Sequence, residues 1–242
     1  MSYLIEIAVS DFQTAEAAIT GGADRIELCA NLHEGGTTPS LGVIKKCRER
    51  FDIPIYPIIR PRGGDFLYSA EEFAIMCTDV MKCKELGCDG VVLGLLKKDG
   101  HLDLQRTSRL LSLAYPMPVT FHRAFDRCID PFVALEELVQ IGVERILTSG
   151  QQLTVNEGAD LIAALNKVAD HRIIIMPGSG VKESNIKWLA DKTGCREFHA
   201  SLRDKEKTKM DFIHPSFSNQ EEYYLNNMID PVAVQSLRKA LS

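Results

Sequence analysis

Gly22-Ala23-Asp24-Arg25-Ile26-Glu27-Leu28-Cys29 links the end of a helical stretch to a short strand, and its opening recurs as Gly87-Cys88-Asp89-Gly90 and Gly142-Val143-Glu144-Arg145. In each copy a glycine closes the preceding helix in the left-handed conformation that only it adopts cheaply. One unit is being used repeatedly. Working outward from it, apolar, β-branched runs appear at Tyr3 to Val9, Arg25 to Cys29, Ile55 to Arg60, Gly90 to Gly94, Pro118 to His122, Glu144 to Thr148, Arg172 to Met176 and Glu197 to His199. Stretches with helical periodicity separate them at Phe12 to Thr20, Leu41 to Arg50, Ala70 to Leu86, Leu104 to Leu113, Pro131 to Ile141, Glu157 to Val168 and Glu183 to Lys192, and Pro231 to Leu241 closes the series. Strict alternation implies a parallel sheet covered by helices, and eight such units in about 250 residues is the size of a closed barrel. The sequence therefore predicts an α/β fold, a closed (β/α)8 TIM barrel forming a single domain over residues 1–242.

The competing arrangement, an open doubly wound sheet, wants Gly-x-Gly-x-x-Gly after its first strand, where this chain has Ala8-Val9-Ser10-Asp11. Residues 202–229 fit no unit and read as an irregular insertion before the last helix. A flap over the mouth, or a dimer contact through Phe212, Phe217, Tyr223 and Tyr224, is the other reading of that segment.

The composition excludes several classes. With 28 Lys and Arg against 33 Asp and Glu, the net charge of -5 lacks the basic footprint of a nucleic-acid binder. No apolar run approaches the roughly 18 residues of a spanning helix, and no basic region precedes the first apolar run, so neither a membrane nor a secretory route is expected. Seven scattered cysteines, none in C-x-x-C, suit reduced thiols in the cytoplasm.

Barrels of this class do their chemistry at the C-terminal ends of the strands, above apolar interior layers, so polar residues there are the candidates. Glu27 shares a strand face with Cys29. Arg60 and Arg62, across Pro61, are spaced to hold a carboxylate or phosphate; alternatively Arg60 only neutralises Glu27 or Glu6. His122, followed by Arg123 and Asp126, is the candidate proton-transfer group, with a packed core histidine as the alternative. Ser149, then Gly178-Ser179-Gly180 and His199 stand where barrels bind phosphate, although the glycines also suit simple turns. Together Glu27, Arg60 and His122 form a candidate catalytic set, and Arg60, Arg62, Arg123, Ser149, Gly178, Ser179, Gly180 and His199 a candidate anion site. No His-x-His follows the first strand and no lysine stands at an inward strand end, which argues against a metallohydrolase and a Schiff-base aldolase.

Several long stretches, among them Gly22 to Cys29, Glu34-Gly35-Gly36-Thr37-Thr38-Pro39-Ser40, Ile59 to Ser69, Thr120 to Asp126, Leu147 to Gly150 and Met176 to Gly180, make the chain resemble the CutC family of copper homeostasis proteins. That resemblance implies a cytoplasmic (β/α)8 barrel, usually oligomeric with a dimer favoured, linked to copper tolerance. It also implies Cu(I) held by cysteines near the ends of the first two strands. Cys29 matches the second, so Cys29 is the candidate metal ligand, and Ala8 occupies the first. Two partners thus stand side by side, a copper ion or a small anionic metabolite, and no reaction is assigned.

Overall fold

The computed structural model describes residues 3–218 and 224–242. Strands and helices alternate as β1 (Leu4–Val9), α1 (Phe12–Thr20), β2 (Arg25–Leu28), α2 (Leu41–Arg50), β3 (Ile55–Pro57), α3 (Ala70–Glu85), β4 (Val91–Leu93) and α4 (Leu104–Ala114). They continue as β5 (Val119–Phe121), α5 (Pro131–Ile141), β6 (Arg145–Thr148), α6 (Ala159–Ala169), β7 (Ile174–Pro177), α7 (Glu183–Thr193) and β8 (Glu197–Ala200). Helix starts are written locally: Asp11 accepts the Thr14 N–H, Ser69 and Glu72 form a reciprocal cap, and Asp130 accepts two N–H groups ahead of Pro131.

The strands form two parallel four-stranded sheets, ordered β3-β2-β1-β8 and β4-β5-β6-β7. Ile58, just past β3, bridges Val92 in parallel, and the Ile59 N–H donates to the Val92 carbonyl at 2.7 Å, which joins the sheets on one side. On the other side β7 lies against β8, close enough that a Cβ on Gly178 would stand 3.4 Å from His199. The architecture is the (β/α)8 barrel that the alternation predicts.

The insertion is not wholly irregular. Within it, β9 (Arg203–Lys207) pairs antiparallel with β10 (Leu225–Ile229), Arg203 opposite Ile229, before α8 (Pro231–Lys239). Every residue of β9 is exposed, so the strand has no apolar face to betray it by alternation. Tyr223 lies outside the described residues. Among those described, no helix is long and apolar enough to cross a membrane.

The barrel interior also departs from apolar layering. Arg25 binds Glu6 through Nε at 2.5 Å and Glu197 through Nη2 at 2.7 Å, while Arg145 binds Glu197 at 2.6 Å and the Thr120 hydroxyl at 3.1 Å. Both guanidinium groups stand over the Tyr56 ring. Glycine makes the space: a Cβ on Gly90 would lie 2.4 Å from that ring. A buried pair is held by mutual neutralisation, so removing one member leaves an uncompensated charge. Arg25→Met is expected to cost about 3–5 kcal/mol in denaturant titration, whereas Glu136→Gln, which breaks the exposed pair with Arg172, costs under about 1 kcal/mol.

Candidate functional site

Above this charged layer the strand ends enclose a cavity of about 610 Å³, a normal size for a small-molecule site. Glu27 from β2, Arg60 after β3, His122 after β5 and His199 from β8 all line it. The three members of the predicted catalytic set therefore share one rim.

A chain of contacts carries the interior charges up to Glu27. Glu6 uses its second oxygen to bind His199 Nδ1 at 2.7 Å, and His199 Nε2 faces Glu27 Oε2 at 3.8 Å. Burial alone pushes the Glu6 carboxyl upward, but Arg25 and His199 hold it well below the usual range. Burial disfavours a charged His199, yet its hydrogen bond to Glu6 and the nearby Glu27 raise it above the ordinary imidazole value. At Glu27 burial wins: with Glu6 adding repulsion and His199 pulling the other way, its carboxyl is lifted to about 7. Among the described residues, no protein group donates a hydrogen bond to it.

His122 has the opposite character. The Ala124 N–H donates to its Nδ1 at 3.1 Å, which leaves the ring proton on Nε2. Burial, then the Arg60 guanidinium, depress its pKa to about 3, so the ring is neutral. A Cβ on Gly94 would sit 2.5 Å from Nδ1, so a glycine there is what admits the ring. Phe66 lies beneath three groups at once: its ring centroid is 4.8 Å from that of His122, 5.1 Å from Arg60 Cζ and 5.2 Å from Arg127 Cζ.

Arg60 neutralises neither Glu6 nor Glu27. Its terminal nitrogens donate to the carbonyls of Glu34, Gly36 and Gly64 at 2.7–2.9 Å. Its buried Nε and His122 Nε2 make no well-aligned hydrogen bond among the described residues, and the buried Tyr68 hydroxyl lies against the Arg60 guanidinium.

The other predicted ligands divide: Arg123, Ser179 and Gly180 line the cavity with His199, whereas Arg62, Ser149 and Gly178 do not. Arg62 turns outward to Glu72 at 2.6 Å and Asp65 at 3.0 Å, and so does not pair with Arg60 across the cavity. Arg123 is tied to Asp126 at 2.8 Å and to Ser149 Oγ at 2.8 Å; Ser149 in turn donates its N–H to Asp126 at 2.9 Å. The N–H of Gly178 is used by the Thr148 carbonyl, and a Cβ there would meet Leu147 at 2.5 Å, so this glycine serves strand packing. Ser179 and Gly180 do line the cavity, both with positive φ, at 77° and 89°. Sequence reasoning missed Arg127, Lys182 and Arg203, which also line it. Arg203 comes from the ribbon, where nothing in a run of alternating charges marks one as inward; its Nη1 donates to the Leu32 carbonyl at 2.8 Å.

Cys29 lies below the mouth among Ala8, Tyr56, Ile58 and Val92. Its thiol is fully buried and contacts the Val9 carbonyl at 3.4 Å. Burial, reinforced by Glu27, pushes its pKa well above the usual thiol value. A copper(I) ligand is a thiolate, and Ala8 offers a methyl group where a second sulfur is needed. Among the described residues no cluster of three or more His, Cys, Asp or Glu is placed to hold a metal. These residues do not fit a two-thiolate copper site.

Residues 3–204 match the model of the CutC family. A family protein CutC from Chromobacterium violaceum is 47% identical over 245 residues, covering 100% of this chain and 99% of that one. The human copper homeostasis protein cutC homolog is 45% identical over 214 residues, 88% of this chain and 78% of its own length. The crystal structure of a CutC protein from Streptococcus agalactiae superposes with a TM-score of 0.78 at 35% identity, covering 81% of this chain and 97% of that one. Phosphoribosylanthranilate isomerase from Pyrococcus furiosus, at 14% identity, TM-score 0.57 and coverage of 99% and 98%, shares the fold alone. Built on the same barrel and matched along most of its length, the chain belongs to the CutC family.

Proposed function

We propose that this CutC-family barrel binds a small, anionic, oxygen-rich organic molecule at its mouth and acts on it by acid and base chemistry. The observation that carries the reading is the buried donor His122 Nε2, left without a partner among the described residues, in a ring that lines the cavity beside the Arg60 guanidinium. An unpaired buried donor costs about 1–3 kcal/mol, a cost that an acceptor oxygen on a ligand removes. Arg127, Lys182 and Arg203 around the opening favour an anion. We assign any part this protein has in copper homeostasis, the role named for the human relative, to that chemistry rather than to a Cys29 metal site. With seven free thiols, the reading places the protein in a reducing compartment, the cytoplasm.

Thermal-shift and calorimetric titration against phosphorylated sugars and sugar acids tests the ligand. Some of these compounds raise the melting temperature of the wild type, and Arg60→Gln weakens their binding about tenfold, the equivalent of one charge-assisted hydrogen bond. If none binds, the reading fails. Copper is tested by competition with a Cu(I) chelator under reducing conditions: wild type and Cys29→Ser take up the same amount. A Cys29-dependent site would restore the thiolate model.

Glu27 gives a third expectation. Its folded-state value of about 7 lies above the ordinary 4.5, so the folded chain holds this proton while the unfolded chain has released it. Stability thus falls as pH rises from about 4.5 to about 7 and changes little from this group beyond. Glu27→Gln removes the effect: it is more stable than wild type at pH 8, by about 3 kcal/mol, with the gap closing towards pH 5 in paired denaturation curves.

A further inference from the structure

Resting on that ligand reading, we infer that the mouth is arranged for a proton shift beside a carbonyl group, with Glu27 as the base and His122 Nε2–H as donor to the carbonyl oxygen of an anionic α-hydroxy aldehyde or ketone.

The two groups divide the work by geometry. Glu27 presents a carboxylate that no described protein group hydrogen-bonds, and its nearest charged neighbour, His199 Nε2 at 3.8 Å, belongs to a ring already bound to Glu6. It can accept a proton. His122 can only donate, because its Nδ1 is occupied by the Ala124 N–H and its Nε2 carries the hydrogen. A fixed neutral donor polarises a carbonyl and stabilises the charge that develops on oxygen without having to surrender its proton.

The Arg60 guanidinium stands beside the same Phe66 ring and supplies a second donor. Two donors at one wall match two oxygens on neighbouring carbons, which is what distinguishes an α-hydroxy carbonyl compound from a simple ketone. Its anionic end would lie towards Arg127, Lys182 and Arg203.

In the step, Glu27 removes hydrogen from the hydroxyl-bearing carbon. The C–H electron pair becomes the carbon–carbon double bond, and the carbonyl π pair moves onto oxygen, where His122 Nε2–H and Arg60 Nε–H meet the resulting enediolate. The hydroxyl proton crosses to that oxygen, and Glu27 returns its own to the former carbonyl carbon. Aldose and ketose thereby interconvert with no electrons exchanged with any third party. Return to the original carbon gives back the reactant with its hydrogen exchanged against solvent.

Exchange is therefore the readout that needs no knowledge of the natural substrate. Dihydroxyacetone phosphate, ribose 5-phosphate and glyceraldehyde 3-phosphate are incubated with the protein in D2O, and α-hydrogen loss is followed by proton NMR above the uncatalysed rate. Binding of each probe, and of an enediolate-mimicking phosphoglycolohydroxamate, is measured separately by calorimetry. The expected result is protein-dependent exchange for at least one probe, falling about 100-fold or more in Glu27→Gln and in His122→Gln, with the hydroxamate bound more tightly than that probe. Melting curves establish that both variants fold; should His122→Gln not fold, His122→Asn takes its place. Probes that bind without exchange, or exchange undiminished in Glu27→Gln, overturn the proton shift and leave the ligand site standing. Failure of every probe and of the hydroxamate to bind overturns the site and the shift together.

Discussion

Glu6 keeps a full charge in a space water scarcely reaches because Arg25 grips one of its oxygens and His199 the other. That three-residue contact ties β1, β2 and β8 together side by side, and the mouth depends on it. Were Glu6 neutral, His199 would lose its anchor and the larger part of what raises its pKa; Glu27 would then face a free imidazole rather than an oriented one. The pairing is costly to assemble, since buried ions must be stripped of water. Apolar residues of equal volume would fill the barrel at less cost, but they could not fix which nitrogen of His199 points at the mouth.

Two histidines thus sit in one cavity with opposite protonation. His199 has carboxylates on both sides and is driven towards its charged form; His122 has an arginine on one side and an aromatic ring on another and is held neutral. Burial disfavours the charge on both rings, so it is the carboxylates beside His199 that set the two apart. His122 is thereby kept as a neutral hydrogen-bond donor, while His199 stands as the partly charged neighbour of Glu27.

Much of the barrel was legible because its signals are local. Helices at Phe12–Thr20, Leu41–Arg50 and Pro131–Ile141 run between the bounds expected of them, each started by a side chain that binds its first turn. α6 begins two residues later than periodicity implies, since Glu157 bends back to the Thr154 N–H and hydroxyl and builds a turn of its own. The interior charges were harder. Arg25 and Arg145 open their strands directly after a Gly-x-acid unit, a position that reads as a solvent-facing entrance. Only the closing of β1 against β8 shows that Arg25 and Arg145 converge on Glu197. A trace was present in Arg-x-Glu-x-Cys and Glu-x-His, polar residues at period two inside buried strands, which mark an inward face that is not apolar.

The same contrast separates the two cation assignments of the third strand end. Arg60 and Arg62 are equivalent by spacing, yet Pro61 and the turn at Gly63-Gly64 send one inward and one out. A Cβ on Gly63 would stand 2.5 Å from the Glu34 carboxylate, which would have to move aside. The Gly64 carbonyl of that turn takes Nη2 of Arg60, while the Glu34 and Gly36 carbonyls of the β2–α2 loop take Nη1. A guanidinium fixed in this way, with the Tyr68 hydroxyl also against it, is no roaming counter-ion for the carboxylates below it; it is a rigid donor group in the cavity wall.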